Sequence, residues 1–128
     1  MKNLILILII VAGMQLGACK KDNTGANKAV TGKWQLSRNL LSTGGPGFWQ
    51  PAADNVYVQF NINGIITGNA FPGFITYMVK DTATLTMYNA DKTSYEDYRY
   101  KVTADSLTMS PAGPTTCVEG CAMQFARK

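Results

Sequence analysis

At 128 residues, 46% hydrophobic and 16% charged, the chain has room for one domain with a modest core and is too apolar to be a disordered tail. The formal charge of +4 is gathered at the front, at Lys2, Lys20, Lys21 and Lys28; from Gly32 onward eight Lys and Arg face seven Asp and Glu. A nearly neutral folded part gives no footing for a nucleic-acid partner, despite a pI near 9.0.

The first element in chain order is an export signal. Met1-Lys2-Asn3 is a short positive start, and Leu4 to Ala12 is an unbroken apolar run, about half of the roughly 20 residues that a membrane-spanning helix needs. After it, Leu16-Gly17-Ala18-Cys19 resembles the lipobox of bacterial lipoproteins: a branched apolar residue and two small ones that lie extended in a peptidase cleft, then a thiol that can be alkylated. The resemblance implies removal of residues 1–18 by cleavage between Ala18 and Cys19, and a lipid on Cys19. The competing reading is an ordinary secretory signal with an incidental cysteine. Cysteine arithmetic favours the lipid, because modification of Cys19 leaves Cys117 and Cys121 as an even pair. Three acyl chains, which the resemblance implies, at about 0.8 kcal/mol per buried CH₂ hold a protein firmly to its membrane.

Residues 19–29 are small and polar, without a hydrophobic period, and read as a lipidated flexible tether. Lys20-Lys21-Asp22 is similar to the charged surface-export signals of Bacteroidetes lipoproteins; the alternative is a solvated linker. The expected location is the bacterial cell envelope, lipid-anchored, at the outer membrane.

From residue 30 to 128 the period becomes two. Val56, Val58, Phe60 and Ile62 alternate with Tyr57, Gln59 and Asn61, and Asn63-Gly64 predicts a hairpin with positive φ at both turn residues. Further runs follow at Phe74 to Val79, Ala83 to Tyr88, Tyr95 to Val102, Ser106 to Met109 and Ala122 to Ala126, separated by turn chemistry that includes Pro111 to Thr116. With Thr31 to Arg38 in front, the pattern predicts an all-β domain of about eight antiparallel strands in up-and-down order. Such strands close into a small barrel or stack as a β-sandwich, and period alone does not choose.

Gly32-Lys33-Trp34 on the first strand is similar to the Gly-x-Trp signature of lipocalins, and the Cys117 to Cys121 ending with the strand order resembles the lipocalin-like domains of Bacteroidetes lipoproteins. The resemblance covers residues 30–128 and implies a lipocalin-like barrel, in which Arg127 packs over Trp34. The chain lacks the Thr-Asp-Tyr motif and the C-terminal helix of lipocalins proper.

Catalytic chemistry finds little to work with. No histidine is present, which removes Ser-His-Asp and Cys-His arrangements and most zinc sites. Glu96-Asp97 is an adjacent acidic pair, but strand neighbours point to opposite faces and cannot flank one bond; with Arg99 close by, the pair reads as a solvated face. Cys117 and Cys121 read as a disulfide across a tight turn, since two thiols without histidine fall short of a metal set. No catalytic residue, metal or cofactor is expected, and the protein is read as not an enzyme.

Two functions stay open. In the first, an envelope lipoprotein holds a small apolar or amphipathic ligand in its barrel. Phe48 and Trp49, in the long loop Ser42 to Asn55, would form a lid, and Phe60, Tyr77, Met87, Tyr98 and Tyr100 would line the interior. In the second, the same residues fill the barrel and its outside docks another envelope protein.

Overall fold

The computed structural model describes residue 25 and residues 29–117 and 120–128. The signal segment, the Ala18–Cys19 junction and most of the tether lie outside the described residues. Among the described residues nine strands form: β1 (Gly32–Leu41), β2 (Phe48–Pro51), β3 (Tyr57–Phe60), β4 (Ile66–Gly68), β5 (Thr76–Val79), β6 (Thr84–Tyr88), β7 (Tyr95–Val102), β8 (Ser106–Gly113) and β9 (Met123–Arg127).

Every pairing is antiparallel, in the order β4-β3-β1-β9-β8-β7-β6-β5, with β2 added to β1. The two ends of that path meet. Ile65 bridges Thr76, the Ile66 N–H donates to the Ile75 carbonyl at 2.8 Å, and the Tyr77 N–H donates to the Gly64 carbonyl at 2.9 Å. The sheet therefore curls into a nearly closed up-and-down barrel, a lipocalin-like all-β fold and not a sandwich. Nine strands occupy eight positions around it, because β2 and β3 lie end to end along one edge of β1: Arg38–Leu41 register with β2 and Gly32–Gln35 with β3.

Three local expectations are corrected. The Ser42 to Asn55 segment is not one loop; Phe48-Trp49-Gln50 has the aromatic composition that suits a pleated ribbon and folds back on β1 as β2. Ile62 does not continue its strand but sits 70% exposed at a turn. There the Gly64 N–H donates to the Asn61 carbonyl at 3.0 Å and the Asn61 N–H to the Ile65 carbonyl at 2.9 Å. Gly64 has a φ of 84° while Asn63 stays at negative φ, so the hairpin has a three-residue loop with one left-handed glycine rather than a two-residue one. Finally, β8 runs through Pro111 to Gly113, where turn chemistry was expected; a register irregularity opposite, between Asp97 and Tyr98, accommodates the proline.

The interior follows the alternation. Val58 and Phe60, Leu85 and Met87, Tyr98 and Tyr100, and Leu107 and Met109 are buried pairs from β3, β6, β7 and β8, joined by Trp34 and Phe125. Fully burying such a side chain contributes roughly 1.5–3 kcal/mol. The five residues expected to face inward, Phe60, Tyr77, Met87, Tyr98 and Tyr100, all belong to this core. One core member comes from a connection: Phe71, between β4 and β5, packs its ring edge-on to Tyr98 at 5.3 Å and tilted against Phe125 at 6.0 Å.

Candidate functional site

β1 is ten residues long, about 33 Å at strand rise, and its two ends define two different barrel ends. At its start, Trp34 is fully buried and its indole Nε1 donates to the Val30 carbonyl at 2.7 Å. The Arg127 guanidinium lies 4.0 Å over the Trp34 ring. Its three nitrogens donate to the carbonyls of Ala104 at 3.1 Å and of Thr31 and Ala29 at 3.2 Å each. Gly32 is part of this arrangement: with φ of 133°, a Cβ there would come 3.0 Å from Arg127 Nη1. The resemblance-derived trio Gly32, Trp34 and Arg127 is thus one contact network that stoppers the end from which the N-terminal segment leaves.

The other end is open. A bulge in β1 separates the Leu36–Phe125 pair from the Arg38–Gln124 pair, and Ser37 Oγ donates across it to the Gln124 carbonyl at 2.8 Å. The extra residue changes which side chains continue the interior rows. Asn39 pairs with Met123, so Asn39 and then Leu41 follow Leu36 on the inner face, while Arg38 turns outward. Met123 also pairs with Met109, and Pro111 stands two residues beyond Met109, opposite Tyr98. Asn39, Leu41, Pro111 and Met123 line a pocket of about 400 Å³, rimmed by Leu40 and the disulfide segment at Gly120 and Cys121. That is within the size range of small-molecule sites. Its floor belongs to the core, since Met123 packs against the buried cluster and Met109 is part of it.

The connection from β8 to β9 shapes the rim. Cys117 and Cys121 are joined as a disulfide with Cα atoms 5.9 Å apart, so the metal reading of these thiols falls away. Thr115, in the same connection, donates its N–H to Glu96 Oε2 at 3.2 Å. Glu96 is only 6% exposed, and its other oxygen, Oε1, is buried without a hydrogen-bond partner. The acidic pair does split across the strand, as expected. The solvated-face reading nevertheless fails for Glu96, because it occupies the first inward position of β7, ahead of Tyr98 and Tyr100. Asp97 faces out, where it accepts from the Thr86 hydroxyl at 2.6 Å and from Lys80 at 2.9 Å rather than from Arg99. The Thr86 hydroxyl, with help from Lys80, holds the Asp97 carboxyl below the usual carboxylate range.

The aromatic candidates are not brought together at this mouth. Phe48 registers with Leu41 and Trp49 with Leu40, so the two rings project to opposite faces of β2, at 51% and 37% exposure. The Arg38 guanidinium covers the Trp49 ring at 4.8 Å. Of the interior tyrosines, Tyr77 donates its hydroxyl to the Asn61 carbonyl at 2.8 Å and Tyr100 to that of Asp81 at 2.9 Å; both act as core side chains with a satisfied polar tip. Phe60 and Met87 are fully buried. Only Tyr98, opposite Pro111, borders the open end, and burial together with the Glu96 charge pushes its phenol up to about 12.

Sequence reasoning missed Asn39, Leu41, Pro111, Met123 and Glu96. The bulge at Ser37 puts Asn39 and Leu41 at the mouth and the continuation of β8 past Met109 puts Pro111 there, and neither has a period-two signature; Met123 begins β9, within the predicted Ala122 to Ala126 run. No protein-family model matches the chain, and no curated protein sequence matches it.

Proposed function

We propose that this is a lipid-anchored lipoprotein of the bacterial envelope, held at the outer membrane through Cys19, whose barrel mouth binds one small amphipathic molecule without transforming it. The observation that carries the reading is the apolar pocket of about 400 Å³ at the barrel end opposite the one where the N-terminal segment joins. The packed core beneath Met123 supports a shallow site that takes a headgroup and a few carbons, rather than a deep lipocalin cavity.

The test uses the full chain recovered from membranes, carrying isotope-labelled Met methyl groups. Titration with short-chain amphiphiles should shift the Met123 and Met109 methyl resonances together and leave Met78, on the outer wall, in place. In parallel, Cys19→Ala should abolish the lipid mass and the membrane association of the chain. Silent Met123 and Met109 methyls would reject the binding reading. The filled-barrel alternative would then stand, supported by the exposed Phe48 and Trp49 on a strand that, among the described residues, pairs only with β1.

A further inference from the structure

The closed end of the barrel differs from the mouth in charge as well as in packing. Connections between antiparallel strands alternate between the two ends, so the turns at residues 61–65, 80–83 and 103–105 lie with Gly32 and Arg127 at the closed end, where the Ala29 carbonyl is also held. Among the described residues, Lys33, Lys101, Arg127 and Lys128 stand there against Asp81 and Asp105. Lys80 is left out of that balance because Asp97 holds it at 2.9 Å. A carboxylate on Lys128 would take one charge back and leave the sign unchanged. Toward the mouth the balance reverses, with Arg38 and Lys92 against Asp54, Asp91 and Glu96. One apolar side chain stands out at the basic end: Ile62 is 70% exposed on the 61–65 turn. That turn is firmly held. The Asn61 carboxamide donates to the Ile65 carbonyl at 3.1 Å, Asn63 Oδ1 accepts the Ile65 N–H at 3.2 Å, and the Tyr77 hydroxyl donates to the Asn61 carbonyl at 2.8 Å. A fixed tip loses little freedom when it enters an interface.

We infer that the closed end is a membrane-docking face, whose lysines meet anionic phospholipid headgroups while Ile62 enters the boundary between headgroups and acyl chains. This rests on the lipid anchor at Cys19. Reach favours this end over the mouth. Ten Cα steps separate Cys19 from Ala29; they extend to at most about 36 Å, and a coil of that length has an r.m.s. span of roughly 17 Å. The ten-residue β1, about 33 Å along the strand, rises about 25 Å along the barrel once the usual strand tilt is allowed. A relaxed tether therefore keeps the closed end at the headgroups, whereas bringing the mouth down stretches it past most of the barrel. Charge points the same way, because each basic residue near an anionic bilayer surface gains about fivefold in binding and the mouth has no basic excess. Lys20, Lys21 and Lys28, against Asp22, add to the attraction from the tether itself.

The experiment places the full chain, recovered from membranes with its lipid and with isotope-labelled Ile and Leu methyl groups, in nanodiscs of phosphatidylcholine and phosphatidylglycerol that carry a spin-labelled headgroup. The Ile62 methyl should broaden strongly, and the Leu41 methyls at the mouth should not. In nanodiscs of phosphatidylcholine alone, or at high salt, that contrast should shrink, because the attraction is electrostatic and screened. Lys101→Glu combined with Lys128→Glu changes two exposed side chains and should lower the docking constant by at least roughly 25-fold, removing the Ile62 broadening while the lipid mass stays. In a chain whose mass shows the lipid, an unbroadened Ile62, equal or stronger broadening of Leu41, or a contrast indifferent to lipid charge and to the two lysine changes overturns the docking face and leaves the anchor standing. A chain that carries no lipid and broadens at neither end overturns the anchor, and this face with it. The wild-type comparison of the two lipid compositions decides the matter even if the variant does not fold.

Discussion

The two ends of the barrel handle their polar groups in opposite ways. At the closed end, Arg127 donates through each of its nitrogens, the Trp34 indole has its carbonyl, and the ring between them is fully buried. At the open end, Leu41 and Phe48 stay exposed, and one oxygen of a buried carboxylate has no partner. A domain this small has one core to stabilise it. Its completeness at one end allows the other to carry an apolar rim. The difference separates a sealed end, centred on Trp34, from an open one, rimmed by Leu41.

That division is most easily broken by truncating both ends. Trp34→Ala removes a fully buried ring and strands Arg127 over a void, so it should cost about 3–5 kcal/mol. Leu41→Ala trims a side chain that is already 41% exposed and should cost less than about 1 kcal/mol. Urea unfolding followed by circular dichroism measures both. Comparable losses would mean that the mouth is as much a part of the folding core as the closed end.

How much of this was legible beforehand depends on which physical signal each region uses. The barrel wall is written in alternation: Val58 and Phe60, or Leu85 and Met87, announce their inward faces because a pleated strand repeats every two residues. The closed end is also visible, since Gly32, Trp34 and Arg127 are distinctive residues at distinctive places. The mouth is not. An extra residue at Ser37 reverses which side chains of β1 face in, so that Asn39 replaces Arg38, and no local composition marks such a bulge. Glu96 looked solvated because acidic residues usually are; its burial comes from the segment around Thr115 folding over it, a contact between residues 19 positions apart. Phe48 and Trp49 were conspicuous by type, yet being neighbours on a strand is what separates their rings.

A smaller effect is expected at the disulfide, and it should be confined to one end. Cys117 and Cys121 close a short ring, for which the chain-entropy estimate is about 2 kcal/mol at most. Replacing both by Ser should therefore lower the unfolding midpoint modestly. Hydrogen exchange should rise at Thr115 and around Ala122, whose carbonyl accepts the Leu40 N–H at 2.7 Å, while the Trp34 indole stays protected. Increased exchange of that indole would show that the rim and the stopper form one cooperative unit.

The most local prediction uses Tyr98, the core residue that faces mouth-lining Pro111. Burial first, and the negative charge of Glu96 second, raise its phenol to about 12 in the folded protein, against about 10 for an unfolded tyrosine. Because the folded value is the higher one, this contribution to stability is complete below pH 10. Between about pH 10 and 12 the unfolded chain gives up the proton that the native state retains, so stability falls as pH rises and the contribution is gone above the folded value. Tyr98→Phe should flatten this part of the alkaline decline in urea midpoints, and the wild-type-minus-variant absorbance should place the missing phenolate transition near pH 12. Glu96→Gln should move that transition down only slightly, because desolvation outranks the charge. A transition near pH 10 in the difference spectrum would mean that water reaches Tyr98 through the mouth, and the floor of the pocket would then be no drier than its rim.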